Sequence, residues 1–367
     1  MANELSLNSL LTAFAVPEKS DWIKVARNET GLDDPIEKLS QHVTKNLFVL
    51  PFYDYNDLLA IKYNDRFALP PVEDENFNAR YWENVPAVAV ANPPDANKQA
   101  LVHLAKGANG IFFDRIEKPD VLLREIDRSM CSTWFFVRRE TDEKTAAELL
   151  HADARHNTYL LWEHTPTNPK QFLARSGQSR GLGLVVPRGT DIVEEIATAL
   201  TSGVGLLDKL TDLKFSPATI GSQICFSFSV ENDFFLSVAK FKAMRRLWYQ
   251  VMRVYDVHDF PYDDHFLHAR CEPAADDRYE PRGGLIANAV AALAAVCGGC
   301  NALTVFPDVG DQDLAASVAR NISTILANEA HLDKVSDPFS GAYFLETLVH
   351  QIAQKAWTVF TNGPGQS

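Results

Sequence analysis

Residues 223–230 read Gln-Ile-Cys-Phe-Ser-Phe-Ser-Val, and an apolar pattern at helical spacing follows from Phe234 to Met252. Side chains alternate along the first stretch, so Cys225, Ser227 and Ser229 share one face of a strand while Phe226, Phe228 and Val230 share the other. The aromatic face suits a helix layer, which turns the small polar face inward. That predicts either an interior loose enough for a chain-like ligand or an ordinary strand whose serines are hydrogen-bonded.

The same strand and helix unit repeats outward in both directions. Toward the C-terminus, 266–271 and 302–306 read as strands and 285–296, 311–330 and 341–360 as helices. Toward the N-terminus, strands are expected at 87–91, 110–113, 132–137, 158–162 and 182–186, with helices at 98–106, 120–129 and 191–202. Such alternation predicts parallel strands with right-handed crossovers, in a closed barrel or a doubly wound sheet. Several strands run into polar or proline residues, as at Phe113-Asp114, Val186-Pro187 and Phe306-Pro307-Asp308, which suits the loops where barrel sites are built. Residues 46–50 make a ninth strand candidate, one too many for a barrel of eight. Either this run belongs to the preceding segment or another candidate is spurious.

Residues 1–45 read as a helical arm, with Trp22, Val25 and Ala26 in one apolar stripe and Ile36, Leu39 and Val43 in another. The chain is therefore expected to divide into an arm (1–45) that makes a subunit contact, a barrel (46–360) and a flexible tail (361–367).

Composition narrows the function classes. Forty-eight acidic against 35 basic side chains leave a net charge of −13, which repels phosphate backbones and argues against nucleic acid as a partner. The longest apolar stretch, 285–296, is far short of the ~20 residues that a bilayer span needs, and no basic segment precedes an apolar run at the N-terminus. A cytoplasmic protein without membrane contact is expected. Five scattered cysteines read as reduced thiols; Cys297 and Cys300 frame a Cys-Gly-Gly-Cys that closes a helix or, alternatively, serves a redox or zinc role. Neither a dinucleotide-binding Gly-x-Gly-x-x-Gly nor a P-loop is present.

Four motifs in the C-terminal half carry a family resemblance. Residues 231–248 look like the "nfFmEiAKlRAaRrLW" helix of the methylmalonyl-CoA mutase family, and 288–308 are similar to its "EAmAAvlGGtqSLht" segment. Residues 317–326 match "SaRIARNtQliL" and 337–348 match "DPwgGSYyVEsLT". In the N-terminal half, 21–39 and 49–57 resemble the small-subunit branch of that family. The resemblance implies a (β/α)₈ TIM barrel with an N-terminal helical arm.

What the family uses for chemistry is largely missing. Its Thr-Arg-Gly-x-Tyr stretch does not follow Arg66, and its "SGYHM" strand corresponds to 181–186, with Leu184 near the place of the histidine. "RTHSQ" corresponds to His268-Ala269-Arg270-Cys271, with the imidazole and the cation exchanged. The chain stops at Ser367 without the family's cobalamin-docking Asp-x-His-x-x-Gly; Asp256-Val-His258 lacks the glycine and reads as a solvated loop. The resemblance thus implies a non-catalytic small subunit that binds no cofactor or metal itself. Adenosylcobalamin would be held by a large partner subunit in a heterodimer. The alternatives are an active acyl-CoA mutase barrel served by a separate cobalamin chain, and a repurposed scaffold.

A CoA ester remains a candidate ligand of this chain. Lys242, Arg245 and Arg246 fall on one side of the helix after residue 233, at i, i+3 and i+4, as phosphate contacts or as a solvated or subunit-facing stripe; Lys240 points elsewhere. His268 and Arg270 share a strand face with the lumen as their expected direction, and a buried cation there requires an anionic or carbonyl partner. Ser227 and Ser229 complete the set. Asn288, Asn301 and Arg320 read as hydrogen-bond anchors, and Asp337 or Ser340 as the N-cap of the last helix.

Overall fold

Proline has no N–H, and Pro86 divides the first barrel strand in two. Glu83 and Asn84 pair with Ala302 and Leu303, whereas Ala87 and Val88 pair with Phe112 and Phe113. One continuous strand, β1 (83–88), therefore joins both ends of an all-parallel sheet and closes the ring. The computed structural model describes residues 18–44, 47–61, 79–152, 155–173, 179–189, 191–230, 233–260, 265–272, 283–308 and 312–363.

From β1 the ring runs through β2 (Gly110–Phe113), β3 (Ser132–Val137), β4 (Asn157–Trp162), β5 (Arg180–Val185), β6 (Ile224–Ser229), β7 (Phe266–Cys271) and β8 (Ala302–Val305). The helices are α1 (Lys19–Thr30), α2 (Pro35–Leu39), α3 (Tyr55–Leu59), α4 (Pro93–Ala105), α5 (Pro119–Leu122), α6 (Glu143–His151), α7 (Ile192–Asp212), α8 (Pro217–Gln223), α9 (Phe234–Val254), α10 (Gly283–Gly298), α11 (Gln312–Asn328) and α12 (Tyr343–Asn362). This is the expected (β/α)₈ barrel. The supernumerary strand is resolved as well: Phe48 and Val49 pair antiparallel with His42 and Gln41 in a small hairpin apart from the ring. Residues 45 and 46 lie outside the described residues, as does 364–367 of the expected tail.

Side-chain caps set where the long helices begin. Asp191 accepts from Val193 N at 2.8 Å and Asp233 from Leu236 N at 2.9 Å, each satisfying a donor that the first turn leaves unpaired. The expected helix over 120–129 shrinks to four residues. Asn97 Nδ2 donates to the carbonyls of Leu122 and Arg124, both at 2.8 Å, and Glu125 turns into the left-handed region at φ 63°, so the ladder cannot continue. Helices α6 and α8 are additions to the sequence reading. Asp337 is not the cap of α12, which begins at Tyr343; its carboxylate instead accepts from Phe339 N in the preceding turn.

The N-terminal segment packs onto the barrel by mixed contacts. Lys19 pairs with Asp57 at 3.0 Å, Trp22 stacks on Phe52, Tyr53 meets Phe344 at the start of α12, and Thr44 donates to the Asp191 cap at 2.8 Å. Among the described residues no helix is long and apolar enough to cross a membrane.

Among the described residues, two separate hydrophobic cores follow from strand alternation. Outward residues such as Phe226 and Phe228 meet Trp248 and Phe241 of α9, at centroid distances of 4.9 and 6.0 Å. Lys240, on the same helix, is fully buried and donates to Glu195 Oε2 at 2.8 Å and to Ser229 O at 2.7 Å. Glu195 Oε1 in turn accepts from Gly189 N, so this ion pair ties α9 and α7 to the loop after β5. Removing one partner of such a pair strands a buried charge. Lys240→Met is expected to lower stability by about 3–5 kcal/mol in urea unfolding, and Lys240→Met with Glu195→Leu to recover a large part of that loss.

Candidate functional site in the barrel interior

The inward face of β6 is the small polar one, Cys225, Ser227 and Ser229, as its alternation requires. Among the described residues it does not open a channel. Rings from the other strands fill the axis: Phe112 from β2, Trp134 and Phe136 from β3, Tyr159 from β4, and Phe266 and His268 from β7. Trp134 and Tyr159 stand directly opposite in neighbouring strands and stack at 3.9 Å with planes 4° apart. Phe266 lies 5.4 Å from Tyr159, and the His268 ring 4.8 Å from Trp134. The small residues of β6, together with Ala302 on β8 and Gly183 on β5, are what accommodate these rings. A Cβ on Gly183 would come within 2.5 Å of Leu160 O and 2.6 Å of Leu161 Cδ2. Of the two readings of this face, the described residues show the ordinary strand with hydrogen-bonded serines in a packed core, and not the loose lumen.

His268 sits midway along the axis, fully buried, and its proton position can be deduced. Thr304 donates its hydroxyl proton to Val85 O at 2.8 Å, so at 2.9 Å it accepts from His268 Nε2–H. Nδ1 is then the acceptor for the Ser227 hydroxyl at 2.8 Å. Burial first, and the Arg270 charge second, hold this imidazole well below its ordinary range, and it is neutral. Serine beside histidine would suggest a nucleophile and base, but the donors run in series from Ser227 to His268 to Thr304 and end on the Val85 carbonyl, so each is spent inside the protein.

Below this level, Glu83 accepts from Ser132 Oγ at 2.5 Å, and Trp134 Nε1 donates to Ser132 at 2.9 Å. Burial raises the Glu83 carboxyl above its usual range, opposed by hydrogen bonds from Ser132, Trp134 and Tyr159 and by the Arg180 charge. At the opposite end, where the strands finish, Arg270 pairs with Glu272 at 3.0 Å and donates to Ser229 Oγ at 3.2 Å. The anionic partner that a buried cation requires is thus Glu272.

Lys242, Arg245 and Arg246 of α9 are not in the lumen, nor are they solvated. Lys242 binds Asp337 at 2.6 Å and Glu346 at 3.5 Å, Arg246 binds Glu346 at 2.5 Å, and Arg245 donates to Asn301 Oδ1 at 2.9 Å. They fasten α12 and the turn before β8 to α9. Lys240 does point elsewhere, into its pair with Glu195. Asn288 donates to Phe306 O, Asn301 accepts from Leu267 N, and Arg320 contacts His103, so all three act as anchors. Leu184 needs a correction: it belongs to the outer core, and its neighbours Gly183 and Val185 are the ones that approach the axis.

Cys297 and Cys300 are buried, and burial pushes the Cys300 thiol up to about 12. That supports small packing residues over a thiolate site, and no metal-binding cluster of three or more His, Cys, Asp or Glu occurs among the described residues.

The inward residues that sequence reasoning missed, Glu83, Phe112, Trp134, Tyr159 and Thr304, do alternate in their strands. For all but Glu83 only the choice of which face is inward was needed to find them; Glu83 lies ahead of the expected strand at 87–91.

Fold and interior together define a parallel (β/α)₈-barrel protein whose axis is filled by its own aromatic side chains. Residues 185–362 match the methylmalonyl-CoA mutase family model. The methylmalonyl-CoA mutase small subunit of Porphyromonas gingivalis is 35% identical over 393 aligned positions, covering 96% of this chain and 63% of that protein. The chain is thus similar to the methylmalonyl-CoA mutase family, and it spans less than two thirds of the length of this relative. The small subunit of Streptomyces virginiae is 35% identical over 47% of the chain and 28% of its own length, and a methylmalonyl-CoA mutase of Rhizobium meliloti 27% identical over 46% and 24%. A dihydropteroate synthase structure from Stenotrophomonas maltophilia, 13% identical, aligns with 69% of this chain and 94% of its own at a TM-score of 0.40.

Burial of neutral imidazoles makes stability depend on pH. His265 is held down to about 3 and His103 to about 4, in each case by burial first and a neighbouring arginine second, against an ordinary 6.5. Between about 6.5 and 4 the unfolded chain binds protons at these sites and the folded chain does not. Stability must therefore fall as pH drops through this window, by up to about 1.4 kcal/mol per pH unit for each histidine. Urea midpoints measured from pH 7 to 5 should show that slope, and His265→Phe should flatten it.

Proposed function

We propose that this chain is the small, non-catalytic subunit of an adenosylcobalamin-dependent methylmalonyl-CoA mutase, a heterodimer of cytoplasmic propionate metabolism. Its larger partner subunit interconverts (R)-methylmalonyl-CoA and succinyl-CoA. The filled axis is the observation that carries the reading. A family barrel that acts on a CoA ester has to admit the acyl chain, and here Trp134, Tyr159, Phe266 and His268 occupy that space.

The chemistry of the remaining polar groups agrees. Polarising a thioester carbonyl requires a donor aimed at an open position, whereas the one N–H of His268 is spent on Thr304 and Arg270 is held by Glu272. Lys242, Arg245 and Arg246 are engaged with protein acceptors, which leaves them unsuited to CoA phosphates. The described residues do not fit a corrinoid at the axis, and adenosylcobalamin is assigned to the partner, where it supplies the radical that starts the rearrangement. The role left to this barrel is to stabilise that partner, with the segment before residue 46 contributing to the contact.

Purified alone with adenosylcobalamin and methylmalonyl-CoA, the chain is expected to give no turnover, no cob(II)alamin signal and no calorimetric binding of the CoA ester. Co-expression with a large mutase subunit should yield a stable, active complex. Turnover by the isolated chain, or tight ester binding lost in Arg270→Gln, would favour an active barrel instead. Failure to associate with any large mutase subunit would favour a repurposed scaffold.

A further inference from the structure

On the outer layer, the C-terminal halves of α9 and α12 form the walls of a groove of about 630 Å³, within the size range of small-ligand sites. Helical spacing builds those walls. Arg246, Gln250 and Arg253 follow one another at i, i+4 and i+7 on α9, and His350, Ala353, Gln354 and Trp357 at i, i+3, i+4 and i+7 on α12, so each helix turns one stripe to the groove. From Arg246 to Val254 the α9 stripe runs about 12 Å. Leu247, Val254, Ala353 and Trp357 make the lining apolar. Val254 is 70% exposed and Trp357 is only half-buried, so hydrocarbon faces water here.

The charge around this hydrocarbon is one-sided. The described lining residues include no acid, and α9 has none along its whole length, in a chain whose net charge is −13. Arg246 is taken by Glu346 at 2.5 Å. Arg253 is exposed, and its guanidinium stands 6.0 Å from the Tyr249 ring without an ion pair among the described residues. Burial first and the Arg246 charge second hold His350 below its ordinary range, so this imidazole adds a polar group and no second cation. Gln250 and Gln354 bring neutral amides to the same walls. A small anion would use the arginine and leave the apolar strip in water. A neutral hydrocarbon would cover the strip and gain nothing from the arginine. An acyl chain that ends in a carboxylate matches both.

We infer that this groove binds a medium-chain carboxylate, its acyl chain on Leu247, Val254, Ala353 and Trp357 and its carboxylate at Arg253. The site is independent of the mutase reading, since it lies outside the barrel axis and its test needs no mutase activity.

The test is a calorimetric titration of the full chain with octanoate and decanoate, below the concentrations at which they form micelles. Acetate and 1-octanol serve as controls for the charge and the chain alone. Decanoate is expected to bind about tenfold more tightly than octanoate, because two further methylenes leave water. Octanoate should in turn bind more tightly than either control. Arg253→Gln should weaken decanoate binding roughly tenfold and leave octanol unaffected, as for the loss of one charge-assisted contact. Val254→Asp, at an exposed position, should abolish decanoate binding; both variants are first verified as folded by circular dichroism. Equal binding of octanol and octanoate would reduce the groove to an unselective apolar surface, and equal binding of acetate to a simple anion site. No binding of decanoate, or binding unchanged in both variants, would remove the ligand from this groove altogether; each of these results overturns the inference.

Discussion

The stack of Trp134 on Tyr159 in the centre of the barrel is the contact on which the rest of the interior depends. Each of these side chains removes roughly 150–250 Å² from water. At ~25 cal/mol per Å² that is about 4–6 kcal/mol apiece as an upper estimate. So much ring volume on one side of a closed barrel demands small residues on the other, and β5, β6 and β8 supply glycine, serine, cysteine and alanine there. The polar groups then follow from the packing. A histidine wedged against Trp134 cannot carry charge, so it is neutral, and its two nitrogens are satisfied by Ser227 and Thr304 across adjacent strands.

In the outer layer, charge acts as fastening. Lys240 with Glu195, and Lys242 and Arg246 with Asp337 and Glu346, connect helices that are far apart in sequence. Buried ion pairs of this kind add little net stability compared with apolar packing, but each is sensitive to the loss of one member. They therefore specify which helix sits beside which. The family motif that begins at Asp337 owes its acid to this role, as an acceptor for Lys242, and not to the start of α12. Arg245, in the same helical motif, holds the turn before β8 through Asn301 in the same way.

Most of the fold was legible in the sequence. Strands at 110–113, 132–137 and 266–271 emerge with the expected bounds, because both strand faces are buried and the apolar runs end sharply at polar residues. The helix at 120–129 was misread because its pattern is helical while a distant side chain, Asn97, withdraws its carbonyls. The candidate site was legible only in part. His268, Arg270, Ser227 and Ser229 were placed on inward faces by alternation alone. Lys242, Arg245 and Arg246 were grouped correctly on one helix side, but no local pattern reveals that the acids opposite them come from residues roughly a hundred positions away.

By itself, then, the sequence determined the alternation of strand and helix and which residues share a face, since each of these is encoded in spacing along a short stretch of chain, and its motifs carried the family resemblance. Whether the barrel is open or filled was decided only by tertiary structure. Ring closure sets Trp134 against His268 and Phe112 against Phe306 across the axis, and such non-local distances depend on strand register and tilt rather than on any one segment. The same small polar face on β6 could have lined a channel. It packs against aromatic rings because the strands across the barrel bring them there.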